Sequence, residues 1–237
     1  MIDNMQWFKP RIDGGWTGVQ LSKESIDFLW KIVNKGREEC NLENAKTNLA
    51  GNISQSFYIK DEDDWFFKNI LKDTIDFYMQ HDQGKQYTTH ANGFRGNYIL
   101  RDKNNKKIEP TTSTLEISSF WVNYQKKHEF NPVHNHSGVF SFVIWLKIPY
   151  DHEEQCKLPF LDGMDEDIKA PGEFQFQIYD MLGNIVTYPY KLGKEFEGKM
   201  LFFPSELRHL VNPFYETDED RVSISGNISL ALNFDVE

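Results

Sequence analysis

The chain has 237 residues, a length that fits one large domain with a substantial buried core. Its 36 acidic and 26 basic residues give a net charge of −10, a sign that repels phosphate backbones and disfavours nucleic-acid binding. Cys40 and Cys156 lack CxxC spacing, and the chain shows neither a secretory leader nor a membrane-spanning apolar run, so we expect a soluble cytoplasmic protein without disulfides.

The first half of the chain is predicted to contain two helices. Residues 21–36 carry apolar side chains at helical spacing, with Ser22 as the N-cap and Gly36 at the end. Residues 61–80 open with four acidic residues that complement a helix N-terminus. One face of this second helix is predicted to be apolar and buried: Phe67, Ile70, Leu71, Thr74, Ile75 and Tyr78.

From Leu115 onward the apolar period changes to two, which is typical of strands. Helices followed by many strands indicate a mainly β fold with flanking helices, a jelly roll. We expect a single domain, 1–237, in which 1–114 forms a helical buttress with outer strands and 115–237 the β core. The predicted strands lie within residues 115–125, 138–149, 172–180, 184–192, 199–204 and 221–234.

Three histidines form a candidate metal site. His134 and His136 are two residues apart, so in an extended segment both rings point to one side and can share an ion. Taken alone, the pair is as compatible with two ordinary histidines at a strand end. His209, after a buried-type strand, offers a third nitrogen, and three nitrogen ligands suit a first-row transition metal with open coordination positions.

The other four histidines lie in polar surroundings and are predicted to be surface residues: His81, His90, His128 and His152.

The last predicted strand has one polar face in an otherwise apolar segment. Arg221, Ser223, Ser225 and Asn227 share that face, which predicts a wet, ligand-filled cavity. A guanidinium with a hydroxyl two residues later can clamp a carboxylate. The alternative is a solvent-facing edge strand on which Arg221 pairs with Asp218 or Asp220.

Taken together, "HNHSGV", "FPSELRHLVNP" and "RVSISGN" resemble the 2-oxoglutarate and Fe(II) dependent dioxygenase superfamily, in particular bacterial and phage members with an HxH…H…RxS pattern. The similarity covers about residues 119 to 230. It implies a double-stranded β-helix, a cupin-like jelly roll. It also implies Fe(II) and O2, with 2-oxoglutarate as the cosubstrate that is oxidatively decarboxylated to succinate while another substrate is hydroxylated.

Within this resemblance, His134, His136 and His209 are the metal ligands, and Arg221 and Ser223 bind the distal carboxylate of 2-oxoglutarate. Two departures stand out. His136 occupies the position of the usual carboxylate ligand, so iron is held either by three histidines or by His134 and His209 with water. Arg221 lies twelve residues after His209, a longer interval than the pattern predicts.

Asn123 is a further candidate for binding the cosubstrate, but a register slip of one residue would place Tyr124 there instead. The resemblance to prolyl hydroxylases points to a protein side chain as the substrate. Residues 171–193 are predicted to form a hairpin that either lines the cavity entrance or forms the edge of a homodimer. Two other classes remain open: a cupin-like metalloprotein with Zn or Mn, and a structural jelly roll that mediates interactions.

Overall fold

The computed structural model describes residues 6–8, 15–38, 43–80, 100–101, 107–108 and 112–233. Two antiparallel sheets dominate the fold and confirm the predicted jelly roll. Among the described residues, the larger has seven strands and the smaller has four.

The larger sheet contains β1 (Gln6–Phe8), β2 (Thr17–Gln20), β3 (Gln55–Tyr58), β6 (Thr112–Gln125), β8 (Phe140–Lys147), β11 (Lys199–Pro204) and β13 (Arg221–Asn233). The smaller contains β7 (Asn131–His134), β9 (Phe174–Tyr179), β10 (Ile185–Tyr190) and β12 (Arg208–Val211). The strand order is β1-β2-β11-β8-β13-β6-β3 in the larger sheet and β10-β9-β12-β7 in the smaller. A separate pair joins β4 (Leu100–Arg101) to β5 (Lys107–Ile108).

Strand β8 shows how the layers are arranged, because both of its faces are buried. Phe140, Phe142 and Ile144 belong to a core cluster that also contains residues of the two long helices. Val143 and Trp145 belong to a second cluster, shared with β9 of the smaller sheet. The helices therefore cover the outer face of the larger sheet, while its inner face packs against the smaller sheet and leaves room for a cavity.

The long helices are α1 (Lys23–Glu38) and α2 (Lys72–Gln80), and a short helix, α3, spans His152–Gln155. Ser22 caps α1 as predicted, since its Oγ accepts from the Ser25 amide at 3.2 Å. The helix continues two residues past Gly36, so the predicted end was wrong. No helix in the described ranges is long and apolar enough to cross a membrane.

A π-helical turn at Phe67–Leu71 precedes α2 and changes which side chain is buried. The prediction placed Phe67 on the buried face, but Phe66 is buried instead and Phe67 is half-buried. The wider turn rotates the residues before it relative to an ideal helix, which a single helical period does not anticipate. Asp61 lies at the start, where its carboxylate accepts from the amides of Phe66 and Phe67.

All six strands predicted after residue 114 are present within about two to three residues of the predicted bounds. The prediction missed two short strands, β7 and β12. These two strands carry two of the three candidate metal ligands. Their brevity, four residues each, hides the alternation by which longer strands are recognised.

Candidate active site

The three candidate metal ligands meet on the smaller sheet. Strands β7 and β12 pair so that His134 lies directly opposite His209. His136 follows β7 by two residues and is held there because its amide donates to the carbonyl oxygen of Ser205 at 2.8 Å. One ring nitrogen from each histidine lies within 4.8 Å of the corresponding nitrogens of the other two. The spacing that predicted a shared ion therefore corresponds to a real cluster.

Backbone contacts fix the orientation of two of these rings. His134 Nδ1 donates to the carbonyl oxygen of Pro132 at 2.7 Å, and His209 Nδ1 donates to that of Leu207 at 2.9 Å. Because a carbonyl can only accept, both Nδ1 atoms carry the proton and both Nε2 atoms present lone pairs. The Nε2 atoms of His136 and His209 are 3.1 Å apart. Metal–nitrogen bonds of about 2.0–2.1 Å at a right angle would place them about 3 Å apart, so the donor set fits a first-row metal.

Burial keeps all three imidazoles neutral. It lowers the pKa of His134 below its ordinary value and the pKa of His136 to about 3, the latter with a further contribution from His134. The pKa of His209, which is 3% exposed, is also well below the ordinary value, chiefly through burial. Neutral imidazole is the form that binds metal, so the folded chain presents the site ready for a cation.

The histidines form one end of a cavity of about 160 Å³ between the sheets. Alternate residues of β6 line it: Trp121, Asn123 and Gln125. Alternate residues of β13 also line it: Arg221, Ser223 and Ser225. Arg221 is 2% exposed and lies on a central strand, which excludes the alternative of a solvent-facing edge strand. Asp218 pairs with Lys127 instead.

The guanidinium of Arg221 is held by three neutral oxygen atoms. Its Nη1 donates to the hydroxyl of Tyr150 and to the carbonyl of Gly172 (2.9 Å), and its Nη2 donates to Oε1 of Gln125. The side-chain amide of Gln125 is oriented by the Glu129 carbonyl, which accepts from its Nε2 at 2.5 Å. Among the described residues, no carboxylate forms an ion pair with Arg221. A buried cation without an anionic partner is costly unless a ligand supplies the charge.

Gly172 explains how a backbone carbonyl comes so close to Arg221. Its φ is +71°, and a Cβ there would lie 2.7 Å from the ring of Tyr150. Only glycine fits this conformation and this space. Tyr150 in turn donates its hydroxyl proton to the Gly172 carbonyl at 2.8 Å. Burial raises the pKa of Tyr150, against the influence of Arg221, so the hydroxyl stays protonated.

Asn123 and Tyr124, the two alternatives for one position, face opposite sides of β6. Asn123 lines the cavity, and its Oδ1 accepts from the hydroxyl of Ser56 at 2.7 Å. Tyr124 lies in the cluster under the helices, where its ring meets that of Phe57 edge-on. The register therefore directs Asn123 and not Tyr124 to the cavity.

Two further predictions need correction. Asn227 does not line the cavity, because its Oδ1 accepts from the hydroxyl of Ser141 within a buried polar network. His152 is 7% exposed and not a surface residue, since α3 turns it inward where Nδ1 donates to the Pro171 carbonyl at 3.1 Å. His128 is exposed as predicted. His81, His90 and Cys40 lie outside the described residues.

Residues 119–227 match the model of a family described as "Putative 2OG-Fe(II) oxygenase". The resemblance to the 2-oxoglutarate and Fe(II) dependent oxygenases is confirmed. Fe(II), 2-oxoglutarate and O2 are the cofactors that this oxygenase family implies, and the three histidines are a donor set that fits iron. No curated protein matches the chain.

Three solved oxygenase structures are similar to this chain at low identity. A Pseudomonas putida prolyl-4-hydroxylase has 13% identity and a TM-score of 0.49, with 92% of this chain and 93% of that one covered. A Trichoplax adhaerens prolyl hydroxylase in complex with a hypoxia inducible factor peptide has 13% identity and a TM-score of 0.46, covering 94% and 84%. A Burkholderia pseudomallei 2OG-Fe(II) oxygenase family protein has 19% identity and a TM-score of 0.34, covering 50% and 47%.

Sequence reasoning missed three residues around the guanidinium: Gln125, Tyr150 and Gly172. Gln125 could have been found, because it follows Asn123 by two residues on the same strand and must face the same side. Tyr150 and Gly172 approach Arg221 from separate connecting segments, and no spacing along the chain predicts that meeting.

Proposed function

We propose that the protein is an Fe(II)- and 2-oxoglutarate-dependent dioxygenase that hydroxylates a second substrate. One observation carries the proposal. In the part of the chain that the structure describes, a single cavity has three neutral imidazoles converging at one end, beside Trp121, and a buried guanidinium without a carboxylate partner at the other, beside Gln125. A metal cation and a dianionic cosubstrate that reaches from one end to the other would satisfy both.

His134, His136 and His209 would hold the iron. The two Nδ1 contacts to backbone carbonyls keep the rings of His134 and His209 aimed inward and raise the basicity of their Nε2 atoms. His136 replaces the carboxylate of the more usual ligand set, so all three protein ligands are neutral. Iron, when bound, supplies the activation of O2 that drives decarboxylation of the cosubstrate and hydroxylation of the substrate.

Arg221 and Ser223 would bind the distal carboxylate of 2-oxoglutarate. The Tyr150 hydroxyl and Gln125 Oε1 position the guanidinium for this contact. The Arg221 side chain therefore loses little conformational entropy when the ligand binds. The Asn123 amide would add a donor through its NH2 group, since its carbonyl oxygen already accepts from Ser56.

A protein side chain, such as proline, is the substrate class that we propose. Two observations support it. The sequence pattern is similar to that of the prolyl hydroxylases, and the β9–β10 hairpin displays apolar side chains that could contact a polypeptide: Tyr179, Met181, Leu182 and Ile185 are 60% or more exposed. A metal-binding protein without oxygenase activity would have no use for the Arg221 site.

An anaerobic titration tests the function directly. Fe(II)-loaded protein is titrated with 2-oxoglutarate, and we expect the weak visible charge-transfer absorption of a chelated 2-oxo acid, followed by succinate formation when O2 is admitted. Succinate is the matched control ligand, because it has both carboxylates but no 2-oxo group and should give no band. A protein that binds iron but shows neither the band nor succinate formation is not a 2-oxoglutarate oxygenase.

A further inference from the structure

Asn131 faces the cavity because strand β7 contains a bulge. His134 pairs with His209 and Asn131 pairs with Val211, so three steps along β7 match two along β12. In a regular strand, residues three apart point to opposite faces, and the extra residue of a bulge reverses that relation. Asn131 and His134 both line the cavity, whereas the two residues between them are exposed. The bulge therefore places an amide on the same wall as a metal ligand.

The carbonyl oxygen of this amide is buried without a hydrogen-bond partner among the described residues. By contrast, the side chains of Asn123, Gln125 and Ser56, which also line the cavity, each have a hydrogen-bond partner. An unsatisfied buried acceptor costs free energy that a native structure tolerates when a ligand provides the donor.

Gly51 holds the Asn131 amide in this position. A Cβ on Gly51 would lie 2.1 Å from Asn131 Oδ1, so the glycine backbone is packed directly against the oxygen. An NH2 group there would press its hydrogens against those of the glycine, which favours the oxygen at this contact. The φ of Gly51 is not in the left-handed region, so backbone strain does not require glycine at this position. The contact with Asn131 is what leaves no space for a larger residue.

The segment around Gly51, residues 48–53, is anchored and uncharged. The Asn52 amide donates to the Phe130 carbonyl at 2.8 Å, and the Ser54 amide donates to the Glu129 carboxylate at 3.1 Å. The cavity-lining residues of the segment are Asn48, Leu49, Ala50, Gly51 and Ile53. This wall offers no charge to a ligand, in contrast with the Arg221 end.

We propose that Asn131 Oδ1 is the acceptor that orients the hydroxylated substrate, through an uncharged N–H or O–H donor on that substrate, and that Gly51 is the positioning residue that holds Asn131. The acceptor lies on the wall that carries His134. The inference rests on the proposed function, because it assigns this subsite to the substrate of the same metal centre.

Small probe molecules test the subsite without knowledge of the natural substrate. Protein loaded with Mn(II) and 2-oxoglutarate is mixed with N-methylacetamide, 2-propanol or methyl acetate, and the paramagnetic relaxation of the probe methyl protons is measured by NMR. The first two carry a donor, and methyl acetate does not. We expect a donor probe to be relaxed more strongly than methyl acetate, roughly twofold to tenfold, as one neutral hydrogen bond allows.

Three variants assign that difference to the amide. Asn131→Ala should abolish it, and Gly51→Ala should do the same by displacing the Asn131 side chain. The double variant should be no worse than either single variant, because both act on one contact. Gly193→Ala is the matched control. The three atoms nearest to its Cβ would belong to the movable carboxylate of the exposed Glu195, so the probe ranking should be unchanged.

The results separate this inference from the proposed function. Preference for N-methylacetamide identifies an N–H donor, and preference for 2-propanol identifies a hydroxyl. Equal relaxation by all three probes, or a preference that persists in Asn131→Ala, overturns the inference while leaving the metal site intact. Failure of the wild-type protein to bind Mn(II), seen by electron paramagnetic resonance, counts against the proposed function. The same probe ranking, measured on metal-free protein by saturation transfer, would then decide the inference.

Discussion

At one end of the cavity three neutral imidazoles converge, whereas at the other a permanently charged guanidinium is surrounded by neutral oxygen atoms. The imidazole end offers neutral nitrogen donors, which suit a cation. The guanidinium end offers a positive charge, which suits an anion. The two ends favour ligands of opposite charge, so one metal ion and one dicarboxylate would suit both.

The two ends also differ in how they are built. Each of His134 and His209 is oriented by the carbonyl of the residue two positions before it, which is a local contact. Arg221 is oriented by Gln125, Tyr150 and Gly172, which lie 49 to 96 residues away in the chain. The ring orientations of His134 and His209 should therefore tolerate changes in distant segments, while the carboxylate end should depend on the packing of three separate segments.

The largest effect is expected at the metal end, from His209→Ala. Removing the most buried of the three protein ligands should lower metal affinity by more than about a hundredfold. The loss should exceed the roughly 10- to 100-fold that is typical when a residue that only hydrogen-bonds to a metal ligand is mutated. Isothermal titration with Mn(II) or anaerobic Fe(II) measures the change. The control is His128→Asn, because His128 is exposed and its φ of +67° suits asparagine. If His209→Ala binds metal as tightly as the wild type, His209 is not a metal ligand.

The next effect is expected at the carboxylate end, from Arg221→Ala. A charge-assisted contact in a buried site is lost, so the dissociation constant of 2-oxoglutarate should rise by at least about tenfold. Metal affinity should be unchanged, because the guanidinium is not a ligand. Arg221→Lys should recover part of the loss, as a point charge without the fork. An alanine variant with wild-type cosubstrate affinity would show that the two ends do not serve one ligand.

The contrast between local and distant contacts explains what the sequence could predict. The six longer strands were predictable because apolar and polar residues alternate along each of them. The candidate roles of His134, His136 and Arg221 followed from the spacing of these residues in the sequence. Tyr150 and Gly172 were not predictable, because they reach Arg221 through loops whose path depends on the folded sheets. Asn131 was missed for another reason: the bulge in β7 reverses the face on which strict alternation would place it.

His136 tests whether the metal end needs three ligands. If His136 binds the metal, His136→Ala should weaken affinity by about tenfold or more, whereas His136→Asp should retain it by restoring an anionic ligand. Both variants are compared with wild type by metal titration, with 2-oxoglutarate affinity as a second measurement. If the alanine variant and the wild type bind metal with equal affinity, His136 is not a ligand. Iron would then be held by His134 and His209 together with water.

The smallest effect is a pH dependence that only the imidazole end should show. In the metal-free protein, burial holds the pKa of His136 at about 3, while in the unfolded chain it returns to about 6.5. Below pH 6.5 the unfolded chain therefore binds a proton that the folded chain does not, so the free energy of unfolding falls as pH is lowered toward 3. Between pH 7.5 and 5.5 this one histidine lowers the free energy of unfolding by on the order of 1 kcal/mol.

Urea unfolding of wild type and His136→Gln at both pH values measures this loss, because the variant lacks the titrating imidazole and should lose less stability on acidification. The same comparison with Arg221→Gln should leave the wild-type pH dependence in place, because that variant keeps His136. An identical loss in wild type and His136→Gln would mean that His136 is as readily protonated in the folded protein as in the unfolded chain.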